Sequence, residues 1–144
     1  MGGYDSRDIL PQSIHQTIDS DKDIIHTGHI LKNIQNYYAL MDVFVFPSHR
    51  EGFGMCVIEA SAMEVPILVS RSHGCVDSIK ENVTGQYIDI SPESIASGLT
   101  DMLDSELRHR LGKSGRQFVI NNLDHKVMWP LIKLFYDETL FNQK

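Results

Sequence analysis

The chain has 144 residues, 42% of them hydrophobic and 22% charged, an ordinary globular composition at the size of a single domain. Nineteen acidic residues against thirteen lysines and arginines give a formal charge of -6 with no basic run to offset it, which argues against a protein that grips a nucleic-acid backbone. The longest apolar runs, such as Val43 to Pro47 and Val65 to Val69, fall far short of the roughly 20 residues that cross a bilayer.

Met1 to Leu10 carries Asp5, Arg7 and Asp8 and lacks an apolar stretch, so it does not read as a secretory signal, and a cytoplasmic protein is expected. The run Met1-Gly2-Gly3-Tyr4-Asp5-Ser6 fits a loose myristoylation pattern, but no polybasic partner follows it and chance explains the match. Four short apolar runs then recur about every twenty residues. They are Ile24-Ile25, Val43 to Phe46, Pro66 to Val69 and Tyr87 to Ile90, and they read as buried strands. Helical periodicity fills the gaps over Ile34 to Met41, Met55 to Met63 and Val76 to Glu81. Alternating strand and helix predict an α/β fold with a Rossmann-like parallel sheet of about four strands. Beyond Ile90, Ser91-Pro92-Glu93 reads as an N-cap, a proline at the first helical position and an acidic first turn. A helix is expected to about Leu103, another from Ser105 to about Asn121, and a last one from about Asp124 to Phe141, interrupted by Pro130. The Leu131, Leu134, Phe135 and Leu140 stripe of that helix has the spacing of a face packed on the core rather than on a membrane surface, with part of it expected to stay unpaired in this chain.

Chemistry concentrates between Phe46 and Ala60, where a strand, a loop and a helix start follow one another. Ligands of open α/β sheets gather at the carboxyl ends of strands, which puts a site in this loop. Gly52 and Gly54 let backbone approach a ligand, and the amides of Met55 and Cys56 at the helix start suit a phosphate. Glu51 on the loop is within reach of sugar hydroxyls, while Glu59, among Ala60, Ala62 and Met63, suits the paired hydroxyls of a ribose. Spacing alone supports equally a solvated Glu51, a Glu59 paired with a cation and glycines that merely make a turn. The seven histidines form no coherent ligand set, so no metal is expected. The histidines read first as structural or surface residues; His49 and Arg50, beside Glu51 in the sequence, have facing a bound phosphate as the weaker alternative. Cys56 and Cys75 are too few for a disulfide framework and read as thiols, with Cys56 buried and inert beside Val57 and Ile58.

The run from Tyr37 to Ser48, then Glu51-Gly52-Phe53-Gly54, then Glu59-Ala60 and Val65-Pro66, resembles the donor-binding half of family 4 glycosyltransferases. Glu51 and Glu59 reproduce that family's E-x7-E signature; Gly74 to Ile79 and Thr84-Gly85 match its next loop and strand, and Trp129 and Tyr136 fall where its last helix carries aromatics. The resemblance is closest to transferases that build capsular and other bacterial surface polysaccharides. It implies a GT-B fold and transfer of a sugar from a nucleotide donor, a UDP-sugar or GDP-sugar, with retention, to a glycan or lipid-linked acceptor. Glu51 would be the catalytic residue gripping the donor sugar, Phe53 and Gly54 would lie along that sugar, and the amides of Met55 and Cys56 would hold the diphosphate. Glu59 would hold the ribose and the backbone of Ile30, after Thr27-Gly28, would meet the base edge. No resident cofactor or metal is implied, and no nucleic acid.

Glu64 stands where the family usually has glycine, so the end of that helix is expected to differ. The resemblance also implies an acceptor domain and two central strands upstream of Met1-Gly2-Gly3, the chain being a partial C-terminal domain. Ile24-Ile25 would then either pair with the next strand or leave a sheet edge open to self-association. In the intact enzyme, a place at the inner face of the membrane is compatible with such acceptors. Two rival readings are a non-catalytic remnant or partner subunit that keeps the fold, and a GT-B relative such as a nucleotide-sugar epimerase, against which the Glu51 to Gly54 run with Glu59 weighs.

Overall fold

The computed structural model describes residues 11–141, and its contacts divide the chain into two units, Met1–Ile34 and Gln35–Lys144. The expectations for Met1-Gly2-Gly3 and for the Met1 to Ser6 pattern lie outside the described residues. In the first unit, α1 (Gln12–Ser20) follows Pro11, and none of its residues is buried. No element is expected there from the sequence, because the segment shows only Ile14 and Ile18 as an apolar pair one turn apart. The strand expected at Ile24-Ile25 does not form. Both residues are irregular and Ile25 is 83% exposed, because no described strand offers a ladder to hold them extended.

In the second unit, α2 (Ile34–Tyr38, beginning at the unit boundary) leads into β1 (Phe44–Phe46), then α3 (Met55–Ala62), β2 (Ile67–Ser70) and β3 (Gln86–Ile88). The sheet is parallel, in the order β1-β2-β3, with Val45 opposite Leu68 and Val69 opposite Tyr87. It has three strands rather than four, and among the described residues β1 keeps one edge unpaired. Ile67, Leu68 and Val69 have no exposure at all, as a central parallel strand buried on both faces requires. Leu68, Ile88, Met102 and Leu111 make the core, with Val45, Ile95 and Leu107 packed against it.

The helix expected over Val76 to Glu81 is a chain of turns instead. The Cys75 amide donates to the Ser72 carbonyl and the Ser78 amide to the Cys75 carbonyl, each across three residues. Side chains take what a helix ladder would have used: Ser78 Oγ donates to the Cys75 carbonyl at 2.7 Å and the Tyr87 hydroxyl to that of Val76 at 2.8 Å.

The carboxyl-terminal third is helical, as its sequence implies. α4 (Pro92–Asp101) is capped by Ser91, whose hydroxyl accepts from the Ser94 amide, and α5 (Ser105–Asn122) by Asp104, which accepts from the Glu106 and Leu107 amides. α6 (His125–Phe141) runs through Pro130 without the expected break. Proline removes one donor to the carbonyl four residues back, and that residue, Lys126, is exposed, so water can meet the orphaned oxygen. The Leu131, Leu134, Phe135 and Leu140 stripe does not pack on the core: all four are exposed, as are Trp129 and Tyr136.

α3 ends on a left-handed residue, and that residue is Glu64, at φ 62°. The Val65 amide donates to the Ala60 carbonyl and the Glu64 amide to the Ser61 carbonyl, the bonding of a Schellman stop that normally uses glycine. So Glu64 takes the backbone shape that glycine usually takes at such a stop and carries the cost of its side chain there. α5 presses on this turn: a Cβ built on Gly112 would lie 2.0 Å from the Glu64 carbonyl oxygen, so only glycine allows that approach. Arg116 donates to the Ala62 carbonyl from the same side.

Candidate functional site

The loop between β1 and α3 is held at both ends. At its start, the Ser48 amide donates to Ser70 Oγ at 2.9 Å while that hydroxyl donates back to the Ser48 carbonyl at 2.6 Å, which ties the loop to the end of β2. At its middle, Gly74 lies against the backbone of Glu51 and Gly52; a Cβ there would stand 2.2 Å from the Glu51 carbonyl oxygen. At its end, Gly54 takes φ 64° and becomes the N-cap of α3. A left-handed N-cap brings no side chain to the helix mouth, and none caps it. The Val57 and Ile58 amides both donate to the Gly54 carbonyl, which leaves the Met55 and Cys56 amides as the opening of the helix. The helix dipole adds partial positive charge at the same point.

Glu51 is half-buried, and its Oε1 accepts from the Gly52 amide at 2.9 Å, so its carboxylate is drawn toward the loop backbone. Phe53 and Met55 are exposed beside it. Cys56 is half-buried, and burial pushes its thiol up, keeping it protonated and unreactive at neutral pH. Glu59 is exposed on α3, a little over a turn beyond Met55, and its Oε2 accepts from the hydroxyl of Tyr38 at 3.0 Å. Tyr38 is 2% exposed and meets the Phe44 ring edge-on at 5.8 Å. Burial first, and the Glu59 contact second, hold its phenol well above the ordinary tyrosine range.

Thus Glu51, Phe53, Gly54, Met55, Cys56 and Glu59 lie on one loop and the helix it starts. Ile30 belongs to the first unit, half-buried in an irregular stretch that follows Gly28 at φ 64°. Two residues given no role by spacing matter here, Tyr38 and Gly74. Tyr38 was legible only as part of a strand-leading run, since its partner lies 21 residues on. Gly74 was visible as a motif residue, but the contact that requires glycine is with a distant backbone.

Beside this loop, the carboxyl ends of all three strands open into a cleft of about 220 Å³. Ser48 and His49 line it after β1, Ser70 to Ser72 at the end of β2, and Ile88 to Ile90 at the end of β3; His49 apart, none of the residues expected at the donor site lines it. Arg71 is fixed there by Glu81 at 2.5 Å and by the face of Tyr87 at 4.2 Å. Among the described residues, no group of three or more His, Cys, Asp or Glu side chains is arranged to hold a metal ion, and no helix is long and apolar enough to cross a membrane.

A strand-end loop that delivers a helix N-terminus without a side-chain cap is a place where an α/β domain can receive an anion. The sequence matches the family of glycosyl transferases group 1 over residues 12–118, and the chain belongs to that family. It is 29% identical over 142 residues to the capsular polysaccharide biosynthesis glycosyltransferase CapM of Staphylococcus aureus, covering 97% of this chain and 37% of that protein. Its fold is similar to the carboxyl-terminal domain of the group 1 glycosyl transferase LpcC from Francisella tularensis, with TM-score 0.69 and 27% identity over 77% of this chain and 60% of that one. It is also similar in fold to HepE of Anabaena, solved in complex with UDP-glucose, with TM-score 0.75 and 15% identity over 88% of this chain and 36% of that one. The chain spans about a third of the length of the curated relatives it matches. These neighbours give the parallel sheet and flanking helices the architecture of a GT-B glycosyltransferase domain.

Proposed function

We propose that this chain forms the donor-binding part of a retaining glycosyltransferase, which moves a sugar from a UDP-sugar or GDP-sugar to a glycan or lipid-linked acceptor in polysaccharide biosynthesis. The observation that carries the reading is the Gly54-capped start of α3 with Glu59 on the same helix. The Met55 and Cys56 amides would receive the diphosphate and Glu59 the ribose. Glu51 would hold the hydroxyls of the donor sugar, with Phe53 and Gly54 along its edge. As the bond to the anomeric carbon breaks, negative charge grows on the leaving diphosphate. A helix N-terminus already aimed at that charge stabilises it without reorganisation and without a protein nucleophile. Positioning of the acceptor supplies a large further part of the rate, so the 144-residue chain by itself is expected to bind donor and to transfer poorly.

Calorimetric titration of the chain with UDP, GDP and their hexose conjugates tests this, with Glu59→Ala alongside. The expected result is binding of one nucleotide series, weakened at least about tenfold by the substitution while the fold is retained. A folded chain that binds neither series would overturn the donor-site reading. The edge of β1 that is unpaired among the described residues further supports self-association through that edge; a sedimentation profile that stays monomeric at high concentration would remove that part of the proposal.

A further inference from the structure

We infer that Tyr38 is a positioning residue that sets the Glu59 carboxylate for a vicinal diol, so that the site selects ribonucleotides over nucleotides lacking those hydroxyls. The inference rests on the nucleotide reading above and adds a residue from a different element to it. Glu59 is exposed, and an exposed glutamate on a helix ordinarily samples several rotamers. Here one of its oxygens is held by a hydroxyl that has little freedom of its own: Tyr38 is 2% exposed, at the end of α2, with its ring edge-on to Phe44 of β1. The bond from Tyr38 to Glu59 Oε2 is 3.0 Å long and spans 21 residues of sequence, so the tertiary fold makes it, not the helix.

A carboxylate accepts about four hydrogen bonds, and Tyr38 uses one. Oε1 and the remaining lone pair of Oε2 are left for two adjacent hydroxyls, in an orientation fixed before the ligand arrives. Preorganisation of this kind spares the rotamer freedom that a loose glutamate would lose on binding. The phenol stays protonated across the physiological range, because burial and the neighbouring carboxylate both oppose its ionisation, so it acts only as a donor. Removing the hydroxyl alone, as in Tyr38→Phe, keeps the buried ring and its contact with Phe44 while freeing Glu59.

The test is titration of the full 144-residue chain and of Tyr38→Phe with UDP and GDP, each beside its 2′,3′-dideoxy counterpart, with thermal melting to check the fold. The unmodified chain is expected to prefer the ribonucleotide by roughly tenfold or more, as the loss of hydrogen bonds to a charged group implies. Tyr38→Phe is expected to cut that preference by roughly fivefold while leaving dideoxynucleotide binding unchanged. Glu59→Asp, on an exposed helix position, pulls the carboxylate away from the phenol and is expected to reduce the preference as well. Equal weakening of both nucleotides in Tyr38→Phe, or an unchanged preference in either variant, overturns the positioning role and leaves the donor-site reading standing. An unmodified chain that binds both nucleotides equally overturns the assignment of the diol to Glu59, and absence of binding by any nucleotide overturns the donor-site reading together with it.

Discussion

Two helices of this chain put their apolar residues to opposite uses. α3 is eight residues long, and Val57, Ile58, Ala60 and Ser61 are buried beneath the sheet and α5. Its two ends are fixed by left-handed residues, Gly54 before it and Glu64 after it. α6 is more than twice as long and rich in large apolar residues, yet among the described side chains none is buried and Phe135 is 65% exposed. The contrast shows that apolar content alone does not decide burial. α3 is held where the β1 loop and α5 both need it, and the result is a helix mouth with a set position and direction. α6 meets little besides α5, so its position is less determined by the described core.

Substitution should separate the two sharply. Gly112→Ala places a methyl within the Glu64 carbonyl, and relieving the overlap displaces α5 from the end of α3. A loss of about 3 kcal/mol in urea denaturation is expected despite alanine's better helix propensity, and a neutral result would refute the close approach. Next in size, Val57→Ala should cost about 2 kcal/mol and Phe135→Ala less than about 0.5 kcal/mol in the same assay. Equal costs would mean that α6 is packed as firmly as α3. At alkaline pH the Tyr38 contribution has a definite sign, because the folded state raises its phenol. Stability from this group is full below about pH 10 and is lost as pH rises past that value, since the unfolded chain releases the proton first. Thermal midpoints of Tyr38→Phe should therefore fall less steeply above about pH 10 than those of the unmodified chain. The smallest change is Glu64→Gly, which relieves a left-handed side chain and gives up a half-exposed pairing with Arg116. A gain of about 0.5 kcal/mol in denaturation is expected, and a clear loss would show that the ion pair outweighs the backbone.

Local rules made much of the domain legible. The runs at Val43 to Phe46 and Pro66 to Val69 became strands within a residue of their expected bounds, because continuous apolar runs suit a buried parallel sheet. Ser91-Pro92-Glu93 followed from capping chemistry, and the start of α3 at Met55 from helical periodicity. What failed depended on partners distant in sequence. Ile24-Ile25 has strand-like residues but no ladder among the described residues, and Val76 to Glu81 has helical spacing, but the carbonyls at its start, those of Cys75 and Val76, are taken by Ser78 and Tyr87. At the candidate site, Glu51, Gly54 and Glu59 were readable as a spaced motif, whereas the bond from Tyr38 and the closeness of Gly74 exist only in the folded chain.

Amide chemical shifts of the isotope-labelled chain titrated with UDP and GDP would show whether α3 presents the proposed phosphate-and-ribose site while α6 takes no part in it. Changes are expected to concentrate at Gly54, Met55 and Cys56, reaching Glu59 and Tyr38 and sparing Leu131 to Leu140. Changes confined to α6, or none at the start of α3 in a folded chain at saturating nucleotide, would contradict the proposed site.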